Sequence, residues 1–96
     1  MSSVIQEFMT PVTDPDGHAY SARAVGRQRK NRTVWEGWLE FTPQGGRGIV
    51  RSSPIETTQP NREALEYWAS GLEPVYLEGA LERAIASRSD SRARSR

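Results

Sequence analysis

The stretch that decides the fold is Thr33-Val-Trp-Glu-Gly-Trp-Leu-Glu-Phe41, in which successive side chains point to alternate sides. One side is apolar and carries Trp35, Leu39 and Phe41. The other carries a tryptophan between two carboxylates, in the order Glu36, Trp38 and Glu40. A period of two in β-branched and aromatic residues is typical of a strand that is buried on one face. This stretch is therefore predicted to be a strand whose apolar side faces the core.

Similar patterns occur on both sides of this stretch. Residues 20–27 alternate a row of small residues (Ala22, Ala24 and Gly26) with a row that contains Arg23, Val25 and Arg27. Residues 47–52 follow a glycine-rich turn and form a shorter candidate strand. Residues 4–12 form a fourth candidate strand, and Pro11 favours an edge position because proline cannot donate a ladder hydrogen bond. The small row would let a helix approach the sheet backbone closely.

The segment after residue 54 is predicted to form two helices. Four residues recur with helical spacing in the first helix, namely Leu65, Trp68, Ala69 and Leu72. Gly71 suits a left-handed helix end, and Pro74 suits the start of the next helix. The second apolar stripe consists of Leu77, Leu81, Ala84 and Ile85. Gly79 lies within it and costs about 1 kcal/mol relative to alanine, so the pattern is weaker there.

The order of these elements predicts an α+β fold. Three strands form an antiparallel meander, which becomes four-stranded if residues 4–12 join it, and two helices follow and pack on one face. We expect a single domain over residues 1–86 and a disordered Arg/Ser-rich tail over residues 87–96, which lack apolar periodicity. Residues 1–54, 55–86 and 87–96 carry net charges of +2, −4 and +3, which sum to the +1 of the chain. This asymmetry bears on partners and solubility rather than on the fold.

Composition argues against several classes of protein. The chain has no cysteine, so it has no disulfide, thiolate nucleophile or cysteine-based zinc site, and its one histidine, His18, cannot form a multi-histidine site. No apolar run approaches the ~18 residues needed to cross a bilayer. The first residues lack the basic and apolar regions of a signal peptide. We therefore expect a cytoplasmic protein that uses no metal and no cofactor.

The candidate catalytic groups have simpler structural interpretations. Glu36 and Glu40 would lie roughly 13 Å apart along one strand, beyond the ~5–9.5 Å of a glycosidase carboxylate pair. Arginines on the neighbouring strand are expected to pair with them. Residues 14–18 (Asp-Pro-Asp-Gly-His) and residues 45–48 (Gly-Gly-Arg-Gly) fit turns better than calcium or phosphate loops. A small enzyme is therefore the third of three functional hypotheses.

Trp38 is the most informative residue for function, because it is a large aromatic side chain on the charged side of its strand. Tryptophan is enriched at interface hot spots. The first hypothesis is a non-catalytic interaction module that binds a protein, a second copy of the chain included, through Trp38, Arg23, Arg27, Glu36 and Glu40. Two other interpretations stay open: the N-terminal segment or the tail covers Trp38, or neighbouring arginines stack on its ring.

The second hypothesis is weak, sequence-tolerant nucleic-acid binding. Four cations lie in one predicted six-residue hairpin loop over residues 27–32, namely Arg27, Arg29, Lys30 and Arg32, and the tail adds four arginines. Such a cluster would neutralise phosphates while Trp38 stacks on a base. A solvated hairpin tip is the simpler interpretation of the loop. Glu78 and Glu82 would repel phosphates from the second helix, which disfavours recognition by a helix-turn-helix.

Overall fold

The structure is a computed structural model that describes residues 1–30, 32–46 and 48–94. Within these residues the chain forms six strands and two helices. The strands are β1 (Ser3–Glu7), β2 (Val12–Thr13), β3 (Ala19–Gln28), β4 (Trp35–Pro43), β5 (Arg51–Ser52) and β6 (Thr57–Gln59). The helices are α1 (Arg62–Ser70) and α2 (Pro74–Arg94).

The strands form one antiparallel sheet in the order β1-β3-β4-β5. Strand β2 also pairs with β3, and β6 also pairs with β4. The central pair, β3 and β4, is the longest and runs from Tyr20 opposite Pro43 to Gln28 opposite Trp35. The predicted α+β fold, an antiparallel meander followed by two helices, is confirmed.

The shorter strands differ in extent from the predicted ones. The fourth candidate strand is present at the edge of the sheet but is divided into β1 and β2, with Pro11 between them. The strand predicted over residues 47–52 is limited to β5, because positive φ angles at Gly45, Gly46 and Gly48 prolong the preceding turn. Strand β6 has no counterpart in the sequence prediction, since three residues are too few to show alternation.

The helices pack on one face of the sheet, and the core lies between the two layers. Leu39 and Phe41 of β4 are fully buried in it. The small residues of β3 face the same layer, and the helices contribute Leu65, Ala69, Leu77, Ala80, Leu81 and Ala84. The predicted facing of β4 is therefore correct at Leu39 and Phe41.

Trp35 differs from the prediction. It shares the apolar side of β4, yet it is only half-buried, because it is the first residue of the strand. The guanidinium carbon of Arg62, the first residue of α1, lies 5.7 Å from the centroid of its ring. Trp35 is thus covered by an arginine at the edge of the helical layer instead of lying within the core.

Leu65 of α1 packs directly on the sheet backbone. It lies over Gly26 and Gly37, which face each other in register on β3 and β4. A Cβ atom added to Gly26 would clash with Leu65 Cδ2, and one added to Gly37 would lie 2.5 Å from Leu65 Cδ1. The close approach predicted from the small row is confirmed, and it seats α1 on the centre of the sheet.

The helix ends follow the sequence signals in part. The Asn61 side chain caps α1 by accepting a hydrogen bond from the Ala64 N–H at 2.8 Å. Gly71 ends α1 with φ −95°, so the predicted left-handed cap is wrong. Its N–H still donates to the Trp68 carbonyl at 3.2 Å, which ends the helix without a positive φ angle. Helix α2 begins at Pro74, as predicted.

Helix α2 continues to Arg94, past the boundary predicted at residue 86. No glycine or proline follows Gly79, so the sequence holds no strong signal to end the helix earlier. The disorder of residues 87–96 stays a prediction, and residues 95–96 lie outside the described residues. In the part of the chain that the structure describes, neither helix combines the length and the hydropathy needed to cross a membrane.

Candidate functional site

The face of the sheet turned away from the helices, hereafter the outer face, brings together the residues predicted to bind a partner. Arg23 and Arg27 come from β3, and Glu36, Trp38 and Glu40 come from β4. Along their strands they alternate with Ala22, Ala24, Leu39 and Phe41, which are buried in the core beneath the helices. Because side chains alternate along a strand, they share one surface.

The outer face consists of three rows that cross the strands, because directly opposed residues lie side by side. The first charged row contains Glu7, Arg23 and Glu40. The apolar row contains Val4, Val25 and Trp38. The second charged row contains Arg27 and Glu36. The outer face thus places an apolar row between two rows that each carry both signs of charge.

The apolar row is buried at its centre and exposed at its ends. Val25 is only 3% exposed although it faces away from the helices, because Val4 and Trp38 flank it in register. Beyond β4 the row continues into Pro54 and Ile55, which line a shallow depression beside Trp38. Val4 is 41% exposed and Ile55 is 49% exposed. A partner could therefore bury further apolar area at both ends of the row.

Trp38 itself is half-buried and fixed by two neighbours. The guanidinium carbon of Arg27 lies 5.3 Å from the centroid of its ring, which is the arginine stack considered above. The indole Nε1 donates to Glu40 Oε2 at 3.4 Å. Strand β1 lies in the plane of the sheet beside β3, so the N-terminal strand does not cover Trp38. These contacts hold the ring in place and leave its border with the depression accessible.

The charged rows are held by cross-strand ion pairs. Arg23 donates from Nη2 and Nε to Glu40 Oε1 at 2.9 and 3.2 Å. Glu36 forms ion pairs with two arginines: Arg27 Nε lies 3.3 Å from its Oε1, and Arg29 Nε lies 3.5 Å from its Oε2. The arginines are about half exposed, so each pair contributes only about 0–1 kcal/mol to stability. The pairs fix the positions of the charged side chains on the outer face and contribute little to the stability of the fold.

These ion pairs include the two carboxylates that were considered as catalytic groups. Glu36 and Glu40 are both bound by arginines of β3, as the structural interpretation predicted. Glu36 Oε1 lies 3.3 Å from Arg27 Nε, and Glu40 Oε1 lies 2.9 Å from Arg23 Nη2, so both carboxylates belong to surface ion pairs.

The turn at residues 14–18 is closed by the side chain of Asp14. Its Oδ1 accepts the N–H groups of Asp16 and His18, both at 2.9 Å, and Oδ2 lies 3.3 Å from His18 Nδ1. Desolvation alone would raise the pKa of Asp14, but the N–H groups of His18 and Asp16 outweigh it and hold that pKa below its ordinary value. The potential ligand atoms of these three residues lie within 4.8 Å of one another. Both Asp14 oxygens are already engaged in the turn, which explains this proximity.

The four cations predicted to contact nucleic acid surround the β3–β4 turn, but they differ in their partners. Arg27 and Arg29 share the carboxylate of Glu36. Lys30 and Arg32 are exposed at the tip of the turn. The local positive charge available to a phosphate is therefore smaller than the sequence implies.

A polar cluster that the sequence analysis did not identify joins the sheet to α2. The Glu56 carboxylate, which is 6% exposed, accepts the Tyr76 hydroxyl at 2.5 Å and Arg83 Nη2 at 2.7 Å. Burial alone would raise the pKa of Glu56, but the hydrogen bonds from Arg83 and Tyr76 outweigh it and hold the pKa below its ordinary value. Burial and then the bond to Glu56 raise the pKa of Tyr76 to about 12. Separations of 20 and 27 residues leave no local sequence signal for this cluster.

Comparison with known proteins gives no match to a family model, a curated protein or a solved structure. A functional conclusion must therefore come from the surface chemistry of this chain. In the part of the chain that the structure describes, the outer face combines an aromatic side chain, exposed apolar groups and ordered charges of both signs.

Proposed function

We propose that the chain is a non-catalytic interaction module that binds a protein partner through the outer face, with Trp38 as its anchor. The observation that carries this proposal is the half-buried Trp38 in an apolar row between two charged rows. Interface hot spots typically combine an aromatic anchor with a polar surround that excludes water. A bound partner would complete the burial of Trp38 and cover the exposed ends of the apolar row.

The charged rows supply the polar rim of the proposed interface. Arg23 and Arg27 present guanidinium groups beside the carboxylates of Glu40 and Glu36. A partner surface with both signs of charge in matching register would satisfy all four groups. Charges of this kind set orientation and specificity more than affinity.

Weak nucleic-acid binding is the second candidate function. The exposure of Lys30 and Arg32 at the hairpin tip supports it, together with the four arginines of residues 87–96. The pairing of Arg27 and Arg29 with Glu36 weighs against it, because the same carboxylate would repel a phosphate. We expect any such binding to be micromolar and salt-labile. Enzymatic activity is the third candidate, and no arrangement described above supports it specifically.

The proposal places the module in the cytoplasm and assigns it no cofactor or metal. A chain without cysteine needs no oxidising compartment in order to fold.

The test compares two aromatic substitutions in measured binding to the partner. Trp38→Ala should weaken binding by about 2 kcal/mol or more, which is roughly thirtyfold, while the protein stays folded. Tyr67→Ala is the matched control, because Tyr67 is an exposed aromatic residue of α1, on the other side of the sheet. Arg23→Glu should also weaken binding, by reversing one charge of the rim. A Trp38→Ala protein that binds as well as Tyr67→Ala would exclude the outer face as the site.

A further inference from the structure

We propose that the partner of the outer face is a second copy of this chain, related to the first by a two-fold axis that runs parallel to β3 and β4 and between them. This inference rests on the proposed function, since it takes the outer face as the docking surface. It adds the identity of the partner and the orientation in which it docks.

The first argument is the balance of charge on the outer face. Three guanidinium groups (Arg23, Arg27 and Arg29) lie among three carboxylates (Glu7, Glu36 and Glu40). A uniformly acidic or basic partner would meet like charges at half of these positions. The best complement is a surface that alternates in the same way, and a second copy of the chain provides one.

The second argument is that one symmetry axis matches every charge in the central rows. A two-fold axis along the strands places β3 of one copy over β4 of the other. Arg23 then faces the partner's Glu40, Arg27 faces the partner's Glu36, and Val25 faces the partner's Trp38, because these residues are directly opposed within one sheet. The ion pairs within each sheet thus become part of four-membered networks across the interface.

The alternative axis gives the opposite result. A two-fold axis across the strands, along the apolar row, would place Arg23 over the partner's Arg27 and Glu40 over the partner's Glu36. Like charges held face to face raise the dissociation constant by more than about tenfold. The charge pattern therefore selects the axis parallel to the strands.

The exposed apolar groups agree with the same axis. Val4 lies on β1 beyond β3, and Ile55 lies in the segment beyond β4, at opposite ends of the apolar row. Exchanging the two sides of the sheet places Val4 of each copy near Ile55 of the other. The two exposed ends of the row thus cover each other, and two sheets that face one another at about 10 Å form an aligned sandwich.

The size of the outer face sets the expected strength. Four strands that each occupy about 4.8 Å, and about five residues of ~3.4 Å along each strand, give a flat area of roughly 330 Å². This is well below the ~800 Å² per partner of a standard stable interface. We therefore expect a dimer that dissociates in the micromolar range or above and exchanges readily.

The experiment measures the mass of the full-length chain by sedimentation from about 1 μM to about 1 mM, where a dimer of this size should dissociate. Two double variants reverse the charges of one strand each: Arg23→Glu with Arg27→Glu, and Glu36→Arg with Glu40→Arg. Each variant alone should raise the dimer dissociation constant more than about tenfold, because like charges then meet. An equimolar mixture of the two should form a 1:1 dimer, since an acidic face then meets a basic one.

Controls separate failure of this inference from failure of folding or of the proposed function. Arg62→Glu reverses an exposed charge on α1 and should dimerise like the parent. Thermal unfolding shows whether each double variant is folded. If either is unfolded, the single variants Arg23→Glu and Glu40→Arg are measured instead, each alone and in an equimolar mixture. A monomeric parent throughout, or a mixture that stays monomeric like its components, overturns the inference. If the parent is monomeric but Trp38→Ala still abolishes binding to another protein, the proposed function holds and only the inference of a dimer fails.

Discussion

The guanidinium carbon of Arg27 lies 5.3 Å from the centroid of the Trp38 ring, and Nε of the same arginine lies 3.3 Å from Glu36 Oε1. One side chain thus joins the apolar row of the outer face to the second charged row. It contacts the Trp38 ring, and both side chains border the shallow depression that Ile55 also lines. A binding surface of this kind is ordered before its partner arrives, which lowers the entropic cost of binding.

Removing Arg27 should destabilise the domain slightly. A cation–π contact at an exposed site contributes about 0.5–1 kcal/mol, and an exposed ion pair about 0–1 kcal/mol. Arg27→Ala should therefore lower the free energy of unfolding in urea by about 1 kcal/mol. Arg32→Ala, at the exposed hairpin tip, is the matched control and should change it by less than about 0.5 kcal/mol. Equal values for the two variants would show that the stack contributes nothing.

The two sides of β4 should respond differently to truncation. Leu39 is fully buried between the layers, so Leu39→Ala should cost about 2–5 kcal/mol of stability. Trp38 is half-buried on the outer face, so Trp38→Ala should cost less, about 1–2 kcal/mol. Urea unfolding of both variants at low protein concentration measures the difference. A larger loss for Trp38→Ala would mean that the facing of β4 is reversed.

The contact between Leu65 and the glycine pair should appear as non-additivity. Gly37→Ala forces a methyl group against Leu65 Cδ1 and should cost about 1–3 kcal/mol by overpacking. Leu65→Ala alone should cost about 2–5 kcal/mol by leaving a cavity. The double variant should lose less than the sum, because each change relieves the other. Strict additivity in urea unfolding would indicate that Leu65 does not press on Gly37.

Glu56 should contribute to acid sensitivity. Its pKa lies below the ordinary value of 4.5, so its stabilising contribution is complete above that value and is lost as the pH falls through the folded pKa. Glu56→Gln should lower stability at pH 7 by about 1–3 kcal/mol, and its stability should fall less between pH 5 and about pH 3 than that of the parent. Glu66→Gln changes an exposed carboxylate and is the control. An unchanged acid dependence in Glu56→Gln would contradict this assignment.

Much of the fold could be predicted because two long strands alternate with a period of two. The pattern of residues 33–41 gave the correct side for Leu39, Phe41, Trp38 and both glutamates. It overestimated the burial of Trp35, because periodicity gives the direction of a side chain and not the position at which the helical layer ends. The extent of β5 depended on the positive φ angles of Gly45, Gly46 and Gly48 in the preceding turn, and these conformations follow from the fold.

The residues that complete the candidate site were harder to predict. A register shift between Val4 and Gln6 disturbs the alternation of β1, so the sequence does not show which face Val4 joins. Ile55 joins the outer face through an irregular segment that carries no periodic signal. Glu56 and Arg83 meet only after α2 packs on the sheet. Such contacts depend on the three-dimensional arrangement, and local patterns do not encode them.

The central claim is that Trp38 lies at the docking surface, and NMR of the three tryptophan indole N–H groups tests it most directly. Trp38→Phe assigns the Trp38 signal, and Trp68, which packs against the core with its ring 6.4 Å from Tyr76, is the internal reference. We predict that raising the concentration of the chain, or adding its protein partner, shifts the Trp38 signal and leaves the Trp68 signal in place. A complex that forms while the Trp38 signal stays unchanged would contradict the account.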